Sequence, residues 1–487
     1  MELSRMIGIP GNVQGVKGPR LVPLTAALCA VKRNRSVLWD KGAVCTRRIP
    51  HYQEKPAHHP KPKRERKGCM PKNLLIAQSG GPTSAINASL SGIIQEAMRH
   101  SEIGEIYGAV NGIEGVLDRK IIELKSQFPT QKEFELLECT PAMALGSCRF
   151  RLPALDDKPS VYDEISAIFE EYNIGYFFYI GGNDSMDTAH KLSIYFTREQ
   201  RDVRVIGVPK TIDNDLPNTD HTPGFGSAAK FIATSMMEII RDCEVYYLDS
   251  VTIVEIMGRN AGWLAAAAAL PHTVGCAAPH LIYLPEAPFD PEEFLKDVRR
   301  VQAQHKAVIV AVSEGIRLAD GRYVSESMQS GMVDAFGHKY LSGVGKYLER
   351  LVAERIGCKV RSVELNVLQR CAGHMLSATD ITEARKLGAH AVRFALIGET
   401  GKMVVLNRVS QQPYLVRTEL ADISQVANLE KTFPTQWISP EGNAVTQEAF
   451  SYLLPLIQGD VSYPTRNGMP LHFHFEKNYV KPPVRRA

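Results

Sequence analysis

Three short segments hold more reactive side chains than a simple turn needs. Gln78-Ser79-Gly80-Gly81-Pro82-Thr83-Ser84 offers paired glycines, and Gly181-Gly182-Asn183-Asp184-Ser185 repeats the pair and adds a carboxamide and a carboxylate. Lys210-Thr211-Ile212-Asp213-Asn214-Asp215 then packs an ammonium, a hydroxyl and two carboxylates into six residues. Glycine pairs let backbone amides approach an anion at the start of a helix. An ammonium stabilises charge on a phosphoryl group in transit, and a carboxylate takes the proton from an attacking hydroxyl. The combination predicts phosphoryl transfer, and a negative Asp184 inside an anion loop predicts an unusually small donor.

Each loop also has a structural reading. Paired glycines after a strand serve as plain turns. Asn183 reads equally as a turn residue, and Asp184 or Ser185 as the N-cap of the helix that follows. The third loop resists this treatment, because a turn rarely needs an ammonium and two carboxylates together.

The elements that must position these loops are legible as short apolar runs alternating with helical periodicity. Strands are expected over 73–77, 175–180, 203–208, 251–256, 281–284, 307–312 and 359–365. Helices are expected over 84–99, 186–196, 228–241, 261–269, 291–304, 339–355 and 381–395. Alternation at these lengths predicts an α/β fold with mainly parallel sheets covered on both faces. Ligands then gather at the carboxyl ends of the strands, where all three loops fall.

Composition excludes several classes. At 487 residues the chain has room for two or three lobes. Its net charge of +4 is uneven: residues 1–69 hold 15 Lys and Arg against 4 Asp and Glu, leaving 42 against 49 for the remainder. The cluster at 61–67 has no interleaved aromatic residues, so nucleic-acid binding is not expected. Nine scattered cysteines without a CxxC pair argue against structural zinc and a disulfide framework, and predict a reduced, cytoplasmic setting. Apolar runs such as 261–270 fall well short of the roughly 18 residues of a membrane span, so no membrane partner is expected. Residues 1–69 show no core-forming period and read as a start assigned too far upstream or as a disordered tail; signal- or transit-peptide readings fit less cleanly.

Lys210-Thr211-Ile212-Asp213-Asn214-Asp215 after Pro209, with Met257-Gly258-Arg259 after a later strand, resembles the phosphofructokinase family over most of 70–370. The resemblance implies two Rossmann-like lobes with the active site between them at the strand C-terminal ends. Lobe 1 would cover roughly 70–224 and lobe 2 roughly 225–369, each completed by C-terminal elements. In that family GGDGS marks users of ATP, whereas Asp at the second variable position with Lys before TIDND marks users of inorganic diphosphate. Asp184 and Lys210 therefore resemble the diphosphate-dependent branch. A carboxylate fills and repels the volume that the α-phosphate of a nucleotide would need.

The family pattern implies Asp213 as general base for the 1-hydroxyl of fructose 6-phosphate and Lys210 as stabiliser of the transferred group, with Asp184 the third catalytic residue. Gly80, Gly81, Arg149 and Lys210 would hold diphosphate. Thr211, Asp213, Met257, Gly258, Arg259, Glu314, Val367, Gln369 and Arg370 match sugar-phosphate contacts, with Arg370 on the 6-phosphate. Arg361 sits at the spacing at which the family lends an arginine to a neighbouring subunit, implying a homodimer or homotetramer. Magnesium would sit at Asn183 and Asp184.

The chain departs from the pattern at three positions. Asn183 replaces the usual metal-binding Asp and is a weaker ligand for a hard cation. Ser250 stands where many relatives have Arg, and Val367 where they have His. Other sugar phosphates, such as sedoheptulose 7-phosphate, an ATP-dependent 6-phosphofructokinase, and a non-catalytic regulatory subunit that binds sugar phosphates remain as alternatives. The region beyond about Val404 shows no chemical motif and is expected to complete the fold and an interface.

Overall fold

The computed structural model describes residues 71–328 and 343–483. The expectations for 1–69 and for the first residues of the helix at 339–355 lie outside the described residues.

Eleven strands build two sheets. They are β1 Lys72–Gln78, β2 Ile103–Ala109, β3 Ile121–Glu123, β4 Ile174–Gly181, β5 Arg204–Pro209, β6 Ser250–Ile256, β7 Leu281–Tyr283, β8 Ala307–Ser313, β9 Lys359–Glu364, β10 Lys402–Gln411 and β11 Tyr414–Asp422. The larger sheet runs β11-β10-β5-β4-β1-β2-β3 and the smaller one β7-β8-β6-β9. Within these two sheets all pairings are parallel except β2 with β3 and β10 with β11; Thr465–Arg466 and Met469–Pro470 form a separate antiparallel pair. The fold is thus α/β with mainly parallel sheets.

Burial explains why the strands read as unbroken apolar runs. Leu74, Leu75, Ile76 and Ala77 are all fully buried, so both faces of β1 are covered. Truncating a fully buried Leu such as Leu75 to Ala costs roughly 2–5 kcal/mol. Helices end and begin on local signals. Asp290 accepts hydrogen bonds from the backbone of Glu292 and Glu293, and Pro291 occupies the first turn of the helix Pro291–Gln302.

Expected strands and helices recur with shifts of a few residues at their ends, and the helix expected over 261–269 shortens to Trp263–Ala267 before a 3-10 turn. The reading missed β2, β3, the helices Gly112–Leu117, Gln131–Cys139, Pro159–Glu171 and Gln447–Leu453, and the β10–β11 hairpin. The hairpin adds to the larger sheet through β10, which pairs in parallel with β5 at Lys402–Ile206 and Met403–Gly207.

Candidate active site

The strand order brings the three sequence loops together. β1, β4 and β5 are neighbours, with Gln78 paired to Ile180 and Gly181 to Pro209, so the loops that leave them emerge side by side. From β1 the chain builds outward in one direction to β2, and from β4 in the other to β5, which places a topological switch point between β1 and β4. In the smaller sheet Ile256 pairs with Ser313 and Glu255 with Glu364, so the segments at Met257, Glu314 and Arg370 leave its carboxyl edge together. The two sets of loops line one cleft of about 630 Å3.

On one side of the cleft lie Gly80, Gly81 and Arg149, the start of the helix Asn183–Arg198, and Lys210. Gly80 has φ +84°, and a Cβ there would come within 3.1 Å of Lys210 Nζ, so conformation and space both favour glycine. Gly181 would meet Ser185 Oγ at 2.0 Å. The N-cap of the helix is Gly182, and no side chain caps it. The capping role considered for Asp184 or Ser185 is therefore not realised, and the first amides remain open toward the cleft, as an anion site requires. Asp184 stands in the first turn and lines the same cleft. Lys210 is buried, donates to the Gly81 carbonyl at 2.7 Å, and has its pKa lowered to about 8, chiefly by burial, although Asp213 and Asp215 oppose the shift. It remains mostly charged at neutral pH.

The other side presents Thr211, Asp213, Met257, Arg259, Glu314 and Arg370. The backbone N–H of Asp213 donates to Thr211 Oγ1 at 3.1 Å, which fixes the turn that projects its carboxylate. Burial raises the Asp213 pKa above the usual carboxylate value, while Lys210 and Arg259 hold it down. Asp215 is pushed up to about 7, first by burial and then by Asp213 and Glu430. Glu314 accepts from Gly258 N at 3.3 Å, yet burial lifts it to about 8, so it carries a proton at neutral pH and can donate to a sugar hydroxyl. Arg259 Nε is buried without a hydrogen-bond partner, which suits a side chain that awaits an anion.

Four matched positions do not line the cleft. Gly258 serves through its backbone, at φ +140°. Gln369 turns inward, accepting from Met257 N at 3.2 Å and donating to Asn366 O at 3.0 Å, so it shapes the sugar-side loop from behind. The 3-10 turn Asn366–Arg370 leaves Val367 outward at 48% exposure, so its expected place against the sugar phosphate is not realised within this chain. Arg361 also lies off the cleft, donating to Asp242 Oδ2 at 2.7 Å and Thr252 Oγ1 at 3.3 Å.

Asn183 is committed elsewhere. Its Nδ2 donates to Leu429 O at 2.6 Å, and its Oδ1 accepts from Asn428 N. The carboxamide therefore ties down a later loop, leaving Asp184 as the carboxylate of the pair. Sequence reading also passed over Arg151, Asn260, Asn428, Leu429 and Glu430, all of which line the cleft. Arg151 lies two residues beyond Arg149 and was within reach of inspection; the others carry no local signal.

Comparison with known proteins agrees with this geometry. The model of the family described as phosphofructokinase matches residues 73–395. The chain is 40% identical over 412 residues to a pyrophosphate--fructose 6-phosphate 1-phosphotransferase of Halomonas elongata, covering 84% of this chain and 97% of that protein. It is likewise 40% identical over 402 residues to the protein of that name from Methylococcus capsulatus, covering 82% and 94%. A crystal structure of a pyrophosphate-dependent phosphofructokinase from Marinobacter aquaeolei superposes with a TM-score of 0.75 at 37% identity, covering 85% of this chain and 98% of that one.

Proposed function

The chain belongs to the phosphofructokinase family, and from that premise we propose a reaction in which diphosphate phosphorylates the 1-hydroxyl of fructose 6-phosphate, giving fructose 1,6-bisphosphate and phosphate. It is an enzyme of the diphosphate-using kind. The observation that carries the donor choice is Asp184 in the uncapped first turn of Asn183–Arg198, in one cleft with a buried Lys210. The carboxylate occupies and repels the position a nucleotide's α-phosphate would need, while the amides, Gly80–Gly81 and Arg149 suit diphosphate.

Asp213 takes the proton of the 1-hydroxyl as its oxygen attacks the terminal phosphorus, and the bond to the bridging oxygen breaks. Lys210 balances the charge of the phosphoryl group in transit. Protonated Glu314 orients a sugar hydroxyl, Thr211 and Met257 shape the sugar pocket, and Arg259 and Arg370 hold the 6-phosphate. Neither side of the reaction contains a nucleotide, and a phosphoanhydride is exchanged for a phosphate ester, so turnover is expected in both directions.

Magnesium fits the donor side through Asp184, whose carboxylate takes no hydrogen bond among the described residues, together with diphosphate oxygens; Asn183 is occupied by its ties to Asn428 and Leu429. When bound, the ion would neutralise phosphate charge. No group of three His, Cys, Asp or Glu suited to a metal occurs among the described residues, in keeping with an ion held largely by substrate.

Arg361, exposed and paired to Asp242, is the residue we assign to a neighbouring copy's site, in a homodimer or homotetramer. We place the enzyme in the cytoplasm on the six cysteines of the described residues, all of them unpaired; among the described residues no helix is long and apolar enough to cross a membrane. The test is conversion of fructose 6-phosphate and diphosphate by the purified chain with magnesium, the product identified by 31P NMR. Absence of fructose 1,6-bisphosphate would sink the reading.

A further inference from the structure

The family model ends at residue 395, yet the segment Asn428–Lys431 is hydrogen-bonded to three loops of the cleft, those that carry Asn183, Asp213 and Arg259. At its first residue, the side chain of Asn428 donates to Asp187 Oδ1 at 3.1 Å and its backbone N–H to Asn183 Oδ1, while Leu429 O accepts from Asn183 at 2.6 Å. These bonds fasten it to the donor loop. One residue on, Glu430 Oε1 accepts from Asn260 Nδ2 at 3.0 Å, fastening it to the loop that carries Arg259.

Lys431 fastens the segment to the loop of the general base. Its backbone N–H donates to Asp215 O at 2.7 Å, and its Nζ donates to Thr219 O at 3.0 Å and Asp220 O at 2.8 Å, with Asn214 Oδ1 at 3.5 Å. The indole of Trp263 lies under the ammonium at 5.2 Å and donates to Lys431 O at 3.2 Å. Asn214 is fully buried at φ +55°, a left-handed turn that suits asparagine, and its side chain is held by Tyr452 Oη at 2.9 Å and the backbone N–H of Thr222 at 3.1 Å as well as by Lys431. Asp213 immediately precedes it.

We infer that Asn428–Lys431 is a positioning strap for the phosphoryl transfer, and that Lys431 holds the turn that aims the Asp213 carboxylate. The strap acts through Asn183, Asn260 and the Asp215 backbone. A misplacement of about 1 Å in reacting groups costs on the order of 100-fold in rate, so its loss falls on kcat. The inference rests on the phosphotransferase reading above, which wild-type turnover in the same assay tests separately.

Lys431→Met removes the donors and keeps the length of the side chain. It is expected to lower kcat about 100-fold, with KM for diphosphate and fructose 6-phosphate within about threefold of wild type. Because a buried lysine is replaced, the exposed Glu430 provides a second arm. Glu430→Ala is expected to lower kcat about tenfold at an unchanged melting temperature, and Glu430→Gln, whose carbonyl still accepts from Asn260, to restore it to within about twofold. Folded Lys431→Met with kcat within threefold of wild type overturns the inference. So does normal turnover of Glu430→Ala if Lys431→Met does not fold, or a loss of rate that follows melting temperature and raises both KM values together.

Discussion

Replacing Lys210 by Met tests the chemistry most sharply, because this ammonium serves two purposes. Its Nζ lies at the floor of the donor loop, 2.7 Å from Gly81 O. Removing a single preorganised donor to developing charge costs about 2.7–4 kcal/mol, or 100- to 1,000-fold. Lys210 is also the largest electrostatic influence lowering the Asp213 pKa. Without it burial acts less opposed, and the acidic limb of the pH–rate profile moves to higher pH. Together these effects predict a kcat loss of about 1,000-fold at neutral pH. Methionine is nearly isosteric and the sugar side is lined by other residues, so KM for fructose 6-phosphate should change less than about threefold. Steady-state kinetics between about pH 4 and 9 provide the assay. A kcat within tenfold of wild type, or an acidic limb that does not move, would refute the argument.

Asp184→Gly should lower kcat/KM for diphosphate at least tenfold, since the nearest carboxylate for magnesium is lost, while ATP turnover stays at background; kinetics with both donors check this. The wild-type rate should fall as pH drops through the raised pKa of Asp213, which must be ionised. It should also fall as pH rises through about 8, where Lys210 loses its proton. A rate that does not fall above pH 8 would contradict the role of Lys210, and one that stays unchanged down to about pH 4 would contradict that of Asp213. Away from the cleft, His221 is buried between Glu383, at 2.7 Å, and Asp220, at 3.3 Å; against burial, these carboxylates raise its pKa from 6.5 to about 9. Its folded-state pKa exceeds the unfolded one, so its contribution, on the order of 3 kcal/mol, is full below pH 6.5 and fades as pH rises toward 9. Thermal melts of His221→Gln against wild type should show their widest gap between pH 5 and 6.5 and a narrowing one toward pH 9.

Most of the parallel strands were legible because burial on both faces leaves continuous apolar runs, as in Leu74–Ala77, whereas β2, interrupted by Gly104 and Glu105, was not. The three loops were legible for the same reason: their side chains crowd into a few consecutive residues. β11 was not, since its half-exposed residues alternate with exposed ones on an edge strand, leaving no apolar run to notice. The hydrogen bonds of Asn428 and Glu430 span 241 and 170 residues, and an exposed polar loop gives no local sign of them. Asn183 illustrates the limit. Its sequence position suggested a weak metal ligand, whereas its partners, 245 and 246 residues away, make it an anchor for another loop. Val367 shows the converse, a position matched by alignment of a motif but turned outward by the local 3-10 geometry.

The central claim is that Asp184 and Lys210 together select diphosphate as donor. It is tested most directly by initial rates of the purified full-length chain with fructose 6-phosphate and magnesium, comparing diphosphate with ATP at equal concentrations. A charge and a volume set against the α-phosphate are worth at least about 3 kcal/mol of discrimination, so diphosphate is predicted to exceed ATP by 100-fold or more. ATP turnover equal to or above that with diphosphate would contradict the account.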